Sequence, residues 1–390
     1  MVIEPKVKNF ICLTAHPDGC RANVQKQIEY VKSQPGKNSG QRTLVIGSST
    51  GYGLSSRICA AWADAAPTIG VCFEKPASGN RTATAGWYNT AAFEEFAKQD
   101  GLYAKTINGD AYSSEVKEEV ISLIKKDWGQ VDVLVYSLAA PRRTMPDGTV
   151  YTSVLKTTGE PFTSQSLDLS KNILTEKTVM PANQDEINAT IRVMGGDDWN
   201  DWVSALKDAG LLSENFRTVA YSYIGPEMTY PIYTEGTIGQ AKKHLHDTAL
   251  RLSSEGIPAY VSVNKAVVTQ SSSAIPIVPL YIAILYKVMK EAGTHESTIE
   301  QMARLWNEYL FCDKPVTDEE GRIRLDDLEM RPDVQAKIVE YWNQLSDENL
   351  TQYADLEGYW EEFYQLFGFK FENVDYALDT TPDRPIPSIG

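Results

Sequence analysis

The sequence predicts an α/β fold: a doubly wound parallel sheet with helices on both faces, an inserted excursion and C-terminal helical additions. Three observations predict it. Apolar strand-like runs alternate with helical patterns through the first 140 residues. The first of those strands runs into a glycine-rich turn that opens a helix. After a break, two more apolar runs appear, at 218–225 and 259–265. Near-continuous apolar strands separated by helices are the pattern of a parallel sheet covered on both faces.

The elements follow in order. RTLVIG (42–47) reads as the first strand, and a helix follows from about Leu54 to Ala65. TIGVCFE (68–74) is the second strand. GLYAKTING (101–109) is the third, after a helix containing AAFEEFAKQD. VDVLVYSLAA (131–140) is the fourth, after the helix EVKEEVISLIKKDWG. TVAYSYIG (218–225) and AYVSVNK (259–265) extend the same sheet. Residues 141–180 are rich in Thr, Ser, Pro and Lys, and read as a surface excursion with a small hairpin. The stretch 271–289 is strongly apolar, but Pro276, Pro279 and Lys287 leave it short of the ~20 residues a bilayer span needs. It predicts a buried helix after an irregular lead-in, as plain core or as the wall of an acyl-chain pocket. Acid-rich helices follow residue 290, then an irregular tail. We read 1–390 as one large domain, with 40–140 and 215–290 as a dinucleotide-binding core, 141–200 as the inserted excursion and 291–390 as a C-terminal helical addition.

Bulk properties narrow the function. The net charge is -15, and such a surface repels nucleic acid. Five cysteines, odd in number and without a CxxC pair, fit a reducing, cytoplasmic setting. The N-terminus carries no signal-peptide apolar region. Four histidines in the chain, two of them at i, i+2 (His244 and His246), make a metal site at His16 and Cys20 improbable in chemistry, so no metal is expected. Trp199 and Trp202 are spaced for packing on one helix face.

VIGSSTGYGLSSR (45–57) carries the first chemistry. Glycine at Gly47, Gly51 and Gly53 allows positive φ and a close approach of bare backbone to a pyrophosphate. The helix it opens supplies free N–H donors and a positive dipole end. The spacing G-x-x-x-G-x-G differs from the simplest dinucleotide fingerprint, but its place between a first strand and a helix is the required context. Glu74 ends the second strand, 21 residues after Gly53. An acid there bonds the adenosine ribose 2′-OH and repels a 2′-phosphate, which favours NADH over NADPH, with Lys75 beside it softening the preference. Asp110 and Ala111 follow the third strand, and Ser137, Leu138 and Ala139 end the fourth. Those are ligand positions in an open, Rossmann-type sheet.

IYTEGTIGQAKKHL (232–245) carries the second chemistry. Tyr233 and Lys242 stand nine residues apart, where short-chain dehydrogenases use four. Nine residues at ~100° each put them on opposite faces of one helix. If both face a cofactor, the backbone must break or begin at Gly236 or Gly239. A phenol has a pKa near ~10, and a neighbouring ammonium is expected to lower it.

These residues together resemble one family. Gly47 to Gly53, FE at 73–74, YSLAAPRR, VMGGDDW, AYSYIG and the Tyr-x8-Lys pair are similar to the long, short-chain-dehydrogenase-like NADH-dependent enoyl-acyl-carrier-protein and trans-2-enoyl-CoA reductases. The resemblance runs from HPDGC (16–20) to LFGFKFENVDY (366–376). It implies Tyr233 as proton donor, Lys242 as the ribose-binding lysine and Tyr223 as a substrate-contacting tyrosine. It implies NADH contacts at Gly47, Ser48, Ser49, Thr50, Gly51, Tyr52, Phe73, Glu74, Asp110, Ala111, Leu138, Ala139, Val267, Val268 and Thr269. The implied reaction is NADH-dependent reduction of the trans-2 double bond of enoyl-CoA or enoyl-acyl-carrier-protein in fatty acid synthesis. Arg142 and Arg143 are candidates for the thioester carrier's phosphates, or a solvated basic pair. An NADH-dependent carbonyl reductase and a non-catalytic NADH-binding regulator remain as alternatives. The acidic charge tilts the thioester toward CoA, and C-terminal helices covering the flanks favour a monomer without membrane insertion.

Overall fold

A computed structural model describes residues 1–8, 11–273, 275–312 and 315–389. Ala274, inside the apolar stretch 271–289, lies outside the described residues.

The centre is a seven-stranded sheet. Its strands are β1 (Thr43–Ile46), β2 (Thr68–Cys72), β3 (Ala104–Asn108), β4 (Val131–Tyr136), β5 (Leu212–Ser222), β6 (Ala259–Val263) and β7 (Ile323–Arg324). Their spatial order is 3-2-1-4-5-6-7, and every pairing is parallel. Val45 faces Val135 and Ile46 faces Tyr136 across the β1–β4 seam. Connections leave that seam in opposite directions, so a crevice opens at the carboxyl ends of β1 and β4. β1, β2 and most of β4 are buried along their length, which explains why they read as unbroken apolar runs.

The helices are α1 (Pro17–Ser33), α2 (Gly51–Ala63), α3 (Ala85–Gln99), α4 (Ser114–Asp127), α5 (Gln184–Met194), α6 (Asp197–Asp208), α7 (Thr237–Ser254), α8 (Gln270–Ser273), α9 (Val278–Glu291), α10 (Thr298–Arg304), α11 (Pro332–Gln344), α12 (Leu350–Tyr353) and α13 (Leu356–Gln365). α1 begins at His16, whose Nδ1 accepts from Gly19 N–H, with Pro17 in the first turn. α9 is buried almost all round; Tyr281, Ile282, Ala283, Ile284 and Leu285 are fully covered. Tyr359 and Phe363 of α13 share its apolar cluster, and each such side chain contributes about 1.5–3 kcal/mol by leaving water. Among the described residues no helix is long and apolar enough to cross a membrane.

The structure departs from the sequence expectations in four places. The 141–180 segment holds two antiparallel hairpins rather than one, Arg142–Thr144 with Val150–Thr152 and Phe162–Asp168 with Ile173–Val179. Their strands are mostly half-exposed and polar, so no apolar alternation marks them. β5 starts six residues early, at Leu212, with a register shift between Leu212 and Arg217. β7 is a two-residue edge strand, too short to leave a period. The helix expected over HESTIEQMARLWNEYLF changes at Leu305–Leu310 into a π-helical turn.

Candidate active site

The glycine-rich turn leaves β1 at the crevice. Gly47 has φ +81°, and an added Cβ would lie 2.5 Å from the Ser137 carbonyl oxygen. Gly53, in the first turn of α2, would place a Cβ 1.9 Å from the Gly47 oxygen. Gly51, at φ +52°, would meet nothing within 4 Å. Two glycines thus let strand, turn and helix close on one another, while the third leaves the mouth bare. The turn is pinned by Gly47 N–H and Ser48 N–H, which both donate to the Val71 oxygen (2.9 and 3.0 Å). Thr50 precedes α2 without capping it through its side chain, and the first turn carries no acid. Its N–H groups and dipole are left for an anion, which fits a dinucleotide pyrophosphate.

Glu74 sits beside this turn. Ser49 Oγ donates to Glu74 Oε1 (2.6 Å), and Thr84 Oγ1 donates to Oε2. Gly86 makes room for the carboxylate, since a Cβ there would lie 2.1 Å from Oε1. Phe73, 77% exposed, offers a bare ring at the mouth, a surface that water would otherwise disfavour. Asp110 turns its Oδ1 to Tyr112 N–H (3.0 Å), and Ala111 is buried behind it. Leu138 is half-buried and Ala139 exposed after β4. These positions follow the carboxyl ends of β2, β3 and β4, which lie with β1 on one side of the sheet. Two predicted contacts use their side chains internally instead. Ser48 Oγ donates to the Val71 oxygen (3.2 Å), and Tyr52 Oη donates to the Lys265 oxygen (2.6 Å). Val267 and Val268 are buried, while Thr269 is tied to Ser272, so that strip would offer backbone more than side chains.

The two tyrosines meet just beyond the carboxyl end of β5, and Lys242 bonds the backbone of that strand. A short 3₁₀ segment, Glu227–Ile232, delivers Tyr233, and α7 starts four residues later with Gly236 as its N-cap. Gly236 and Gly239 pack on backbone: Cβ atoms there would fall 2.6 Å from the Ile232 oxygen and 2.0 Å from the Thr234 oxygen. Tyr233 and Lys242 therefore do not share one continuous helix, as their spacing requires. The Tyr223 ring lies edge-on to Tyr233, centroids 4.8 Å apart. Tyr223 Oη donates to Glu329 Oε1 (2.9 Å), and Lys242 Nζ donates to the Tyr221 oxygen (2.9 Å).

One expectation is overturned. Tyr233 is not lowered by an ammonium; burial, with Glu329 adding to it, pushes its pKa up to about 12. Burial pulls Lys242 down to about 8. The physical reason is position: Lys242 Nζ is directed to the β5 backbone, so Tyr233 is a neutral phenol, a proton donor rather than a phenolate. Tyr223 is raised well above its usual range by burial and then Glu329.

Arg143 is likewise unavailable as a phosphate ligand. It is 4% exposed and donates to Asp201 (2.9 Å) and to the Arg192 oxygen (3.2 Å). Arg142 is exposed. Trp199 and Trp202 are fully buried, and no His/Cys/Asp/Glu cluster fit for a metal exists among the described residues. Sequence reasoning missed Glu329, Lys265 and Tyr281, which back the tyrosines. Glu329 lies 106 residues from Tyr223, so no spacing could have joined them.

Comparison with known proteins follows the same map. Residues 2–79 match a family model described as the NAD(P)H binding domain of trans-2-enoyl-CoA reductase, and 81–311 match its catalytic region. A trans-2-enoyl-CoA reductase [NADH] of Ruminiclostridium cellulolyticum is 53% identical over 97% of both chains. An enoyl-[acyl-carrier-protein] reductase [NADH] of Methylobacillus flagellatus is 51% identical over 100% of this chain and 99% of its own. The crystal structure of a Treponema denticola trans-2-enoyl-CoA reductase with NAD superposes at TM-score 0.95, with 47% identity over 99% of each chain. Residues 317–380 match a model described as an enoyl reductase FAD binding domain. In that segment Gly358 and Gly368 pack on Lys290, Asp355, Cys20 and His16, and Tyr359 and Phe363 are buried in the core.

Proposed function

The chain belongs to the trans-2-enoyl-CoA reductase family, and from that premise we propose how its residues reduce the trans-2 double bond of an enoyl thioester with NADH. The glycine turn and the α2 N-terminus hold the pyrophosphate. Glu74, kept in place by Ser49 and Thr84, takes the adenosine ribose, and Phe73, Asp110, Ala111, Leu138 and Ala139 line the remaining path. NADH, when bound, supplies the hydride that the β-carbon of the enoyl group accepts. Lys242, charged below about pH 8, holds the nicotinamide ribose. Tyr233, kept neutral, donates a hydrogen bond to the thioester oxygen as negative charge gathers there. Tyr223, its hydroxyl committed to Glu329, holds its ring edge-on against Tyr233 and so fixes that donor. Protonation of the α-carbon then completes the saturated product.

The observation that carries this reading is the paired tyrosines, Tyr223 and Tyr233, edge-on just beyond the carboxyl end of β5, with Lys242 bonded to the Tyr221 carbonyl of that strand. CoA is the handle we favour, because a protein of net charge -15 repels an acidic carrier. We read the molecule as a cytoplasmic monomer. Cys12, Cys20, Cys59 and Cys72 are buried free thiols, and α11 to α13 cover α9, an apolar face that would otherwise seek a partner.

The test follows absorbance at 340 nm with NADH and crotonyl-CoA. The wild type turns over, and Tyr233→Phe loses at least about 100-fold in kcat, the scale of one oxyanion donor. Full activity in Tyr233→Phe removes the donor role from Tyr233. A wild type that binds NADH but leaves crotonyl-CoA untouched overturns the reading.

A further inference from the structure

Glu329 is a carboxylate with no accessible surface, and it is not on any strand or helix that binds the cofactor. It stands in the turn between β7 and α11. Three donors converge on it: Tyr223 Oη (2.9 Å) and Tyr281 Oη (2.6 Å) on Oε1, and Ala266 N–H (2.7 Å) on Oε2. Its own carbonyl oxygen accepts from Gln335 Nε2 (2.7 Å), which anchors the turn on α11. Buried Lys265 faces it from the exit of β6, its Nζ donating to the Ala266 oxygen (2.8 Å).

The same group of atoms reaches the glycine turn. The Lys265 oxygen accepts from Tyr52 Oη (2.6 Å), and Lys265 N–H donates to Gln301 Oε1 (2.8 Å), which also accepts from Tyr52 (3.1 Å). One carboxylate thus joins the substrate tyrosine, the strip that begins at Ala266, and the helix that opens the cofactor site. A buried carboxylate is costly, and a fastening between a turn and a sheet needs no charge. Burial raises the Glu329 pKa, and Lys265 with the three converging donors opposes that shift. As a carboxylate held by those donors, it is a fixed charge-assisted acceptor that sets where a phenol points, because such a bond is shorter and stronger than a neutral one.

We propose that Glu329 is a positioning residue for the reduction: it fixes the Tyr223 hydroxyl, and through that ring the edge-on Tyr233, relative to the Tyr52-bearing end of the cofactor turn. Resting on the proposed reduction, it predicts a loss of turnover that runs through Tyr223. The experiment is a double-mutant cycle of Glu329→Gln with Tyr223→Phe, read as NADH oxidation with crotonyl-CoA, alongside NADH affinity by fluorescence and the melting temperature. Glu329→Gln keeps the shape of the side chain. We expect kcat to fall at least about tenfold, with the NADH Kd changed by less than about twofold; in the Tyr223→Phe background the same substitution costs less than about threefold, since its target is gone. Effects of the two substitutions that multiply, or kcat within about threefold of wild type in Glu329→Gln, overturn the inference. Should Glu329→Gln not fold, Tyr281→Phe, which removes the other hydroxyl from Oε1, goes through the same cycle. A loss in kcat that disappears in Tyr223→Phe supports the inference, and an unchanged or independent effect overturns it. A wild type without turnover overturns the functional reading and this inference together, whereas an active wild type with an equally active Glu329→Gln overturns this inference alone.

Discussion

Gly53→Ala isolates what the glycine turn does. The new Cβ would stand 1.9 Å from the Gly47 oxygen, 2.9 Å from its carbonyl carbon and 3.2 Å from Ser137 Oγ. An ordinary carbon–oxygen contact is about 3.3–3.6 Å, so the α2 N-terminus and the turn must part by more than an ångström. The turn cannot yield cheaply, because Gly47 N–H and Ser48 N–H are both committed to the Val71 oxygen. Overpacking of this kind costs about 1–3 kcal/mol of stability, and a displacement of about 1 Å at a binding site costs on the order of 100-fold in function. The expected outcome is a folded protein, a few degrees less stable, whose NADH Kd rises at least about 50-fold in a fluorescence titration, from the same displacement. Gly101→Ala, between α3 and β3 and outside the glycine turn, is the control. Its Cβ enters open space, so only the strain of φ +72° applies, about 1–2 kcal/mol. Gly53→Ala with wild-type NADH affinity would refute the reasoning, since the turn would then have room that its distances deny.

Three further outcomes follow from the same geometry. Lys242 keeps its ammonium below about pH 8 and loses it above, so NADH affinity in the wild type should fall about tenfold between pH 7 and pH 9, a ratio set by the protonated fractions; Lys242→Met should bind weakly and with a flat profile, and a flat wild-type profile would remove the lysine from the ribose. Arg143→Ala strips a buried cation from Asp198, which keeps Lys117 (2.8 Å) and Tyr136 (3.1 Å); urea unfolding should show a loss of about 2–4 kcal/mol, at the lower side of a broken buried pair because two partners remain. Crotonyl-CoA turnover should survive that substitution in the folded fraction, and a selective rise in KM for the CoA thioester would return Arg143 to the binding site.

The β1 to β4 strands, α2, the glycine turn and the Tyr–Lys break were legible because each is a local pattern. An unbroken apolar run, a glycine where φ must be positive, and a spacing of nine that no single helix accommodates all leave their mark within a few residues. The half-polar hairpins of the excursion and the two-residue β7 left none, because their burial is decided by distant neighbours rather than by their own period. The same division runs through the site. Tyr233, Lys242 and Glu74 stood out as candidates for chemistry from residue type and position after a strand, and Tyr223 only through the family resemblance. The state of the phenol was not. Local chemistry suggested an ammonium lowering it, but the fold aims Lys242 at the Tyr221 backbone and brings Glu329, from 96 residues further along, into the field that keeps Tyr233 protonated. Sequence alone determined the strands and turns that carry a local pattern and which side chains are candidates to react. Only the tertiary structure decided which charges face which groups, because burial and Coulomb interactions depend on separation in space, and chain distance does not record that.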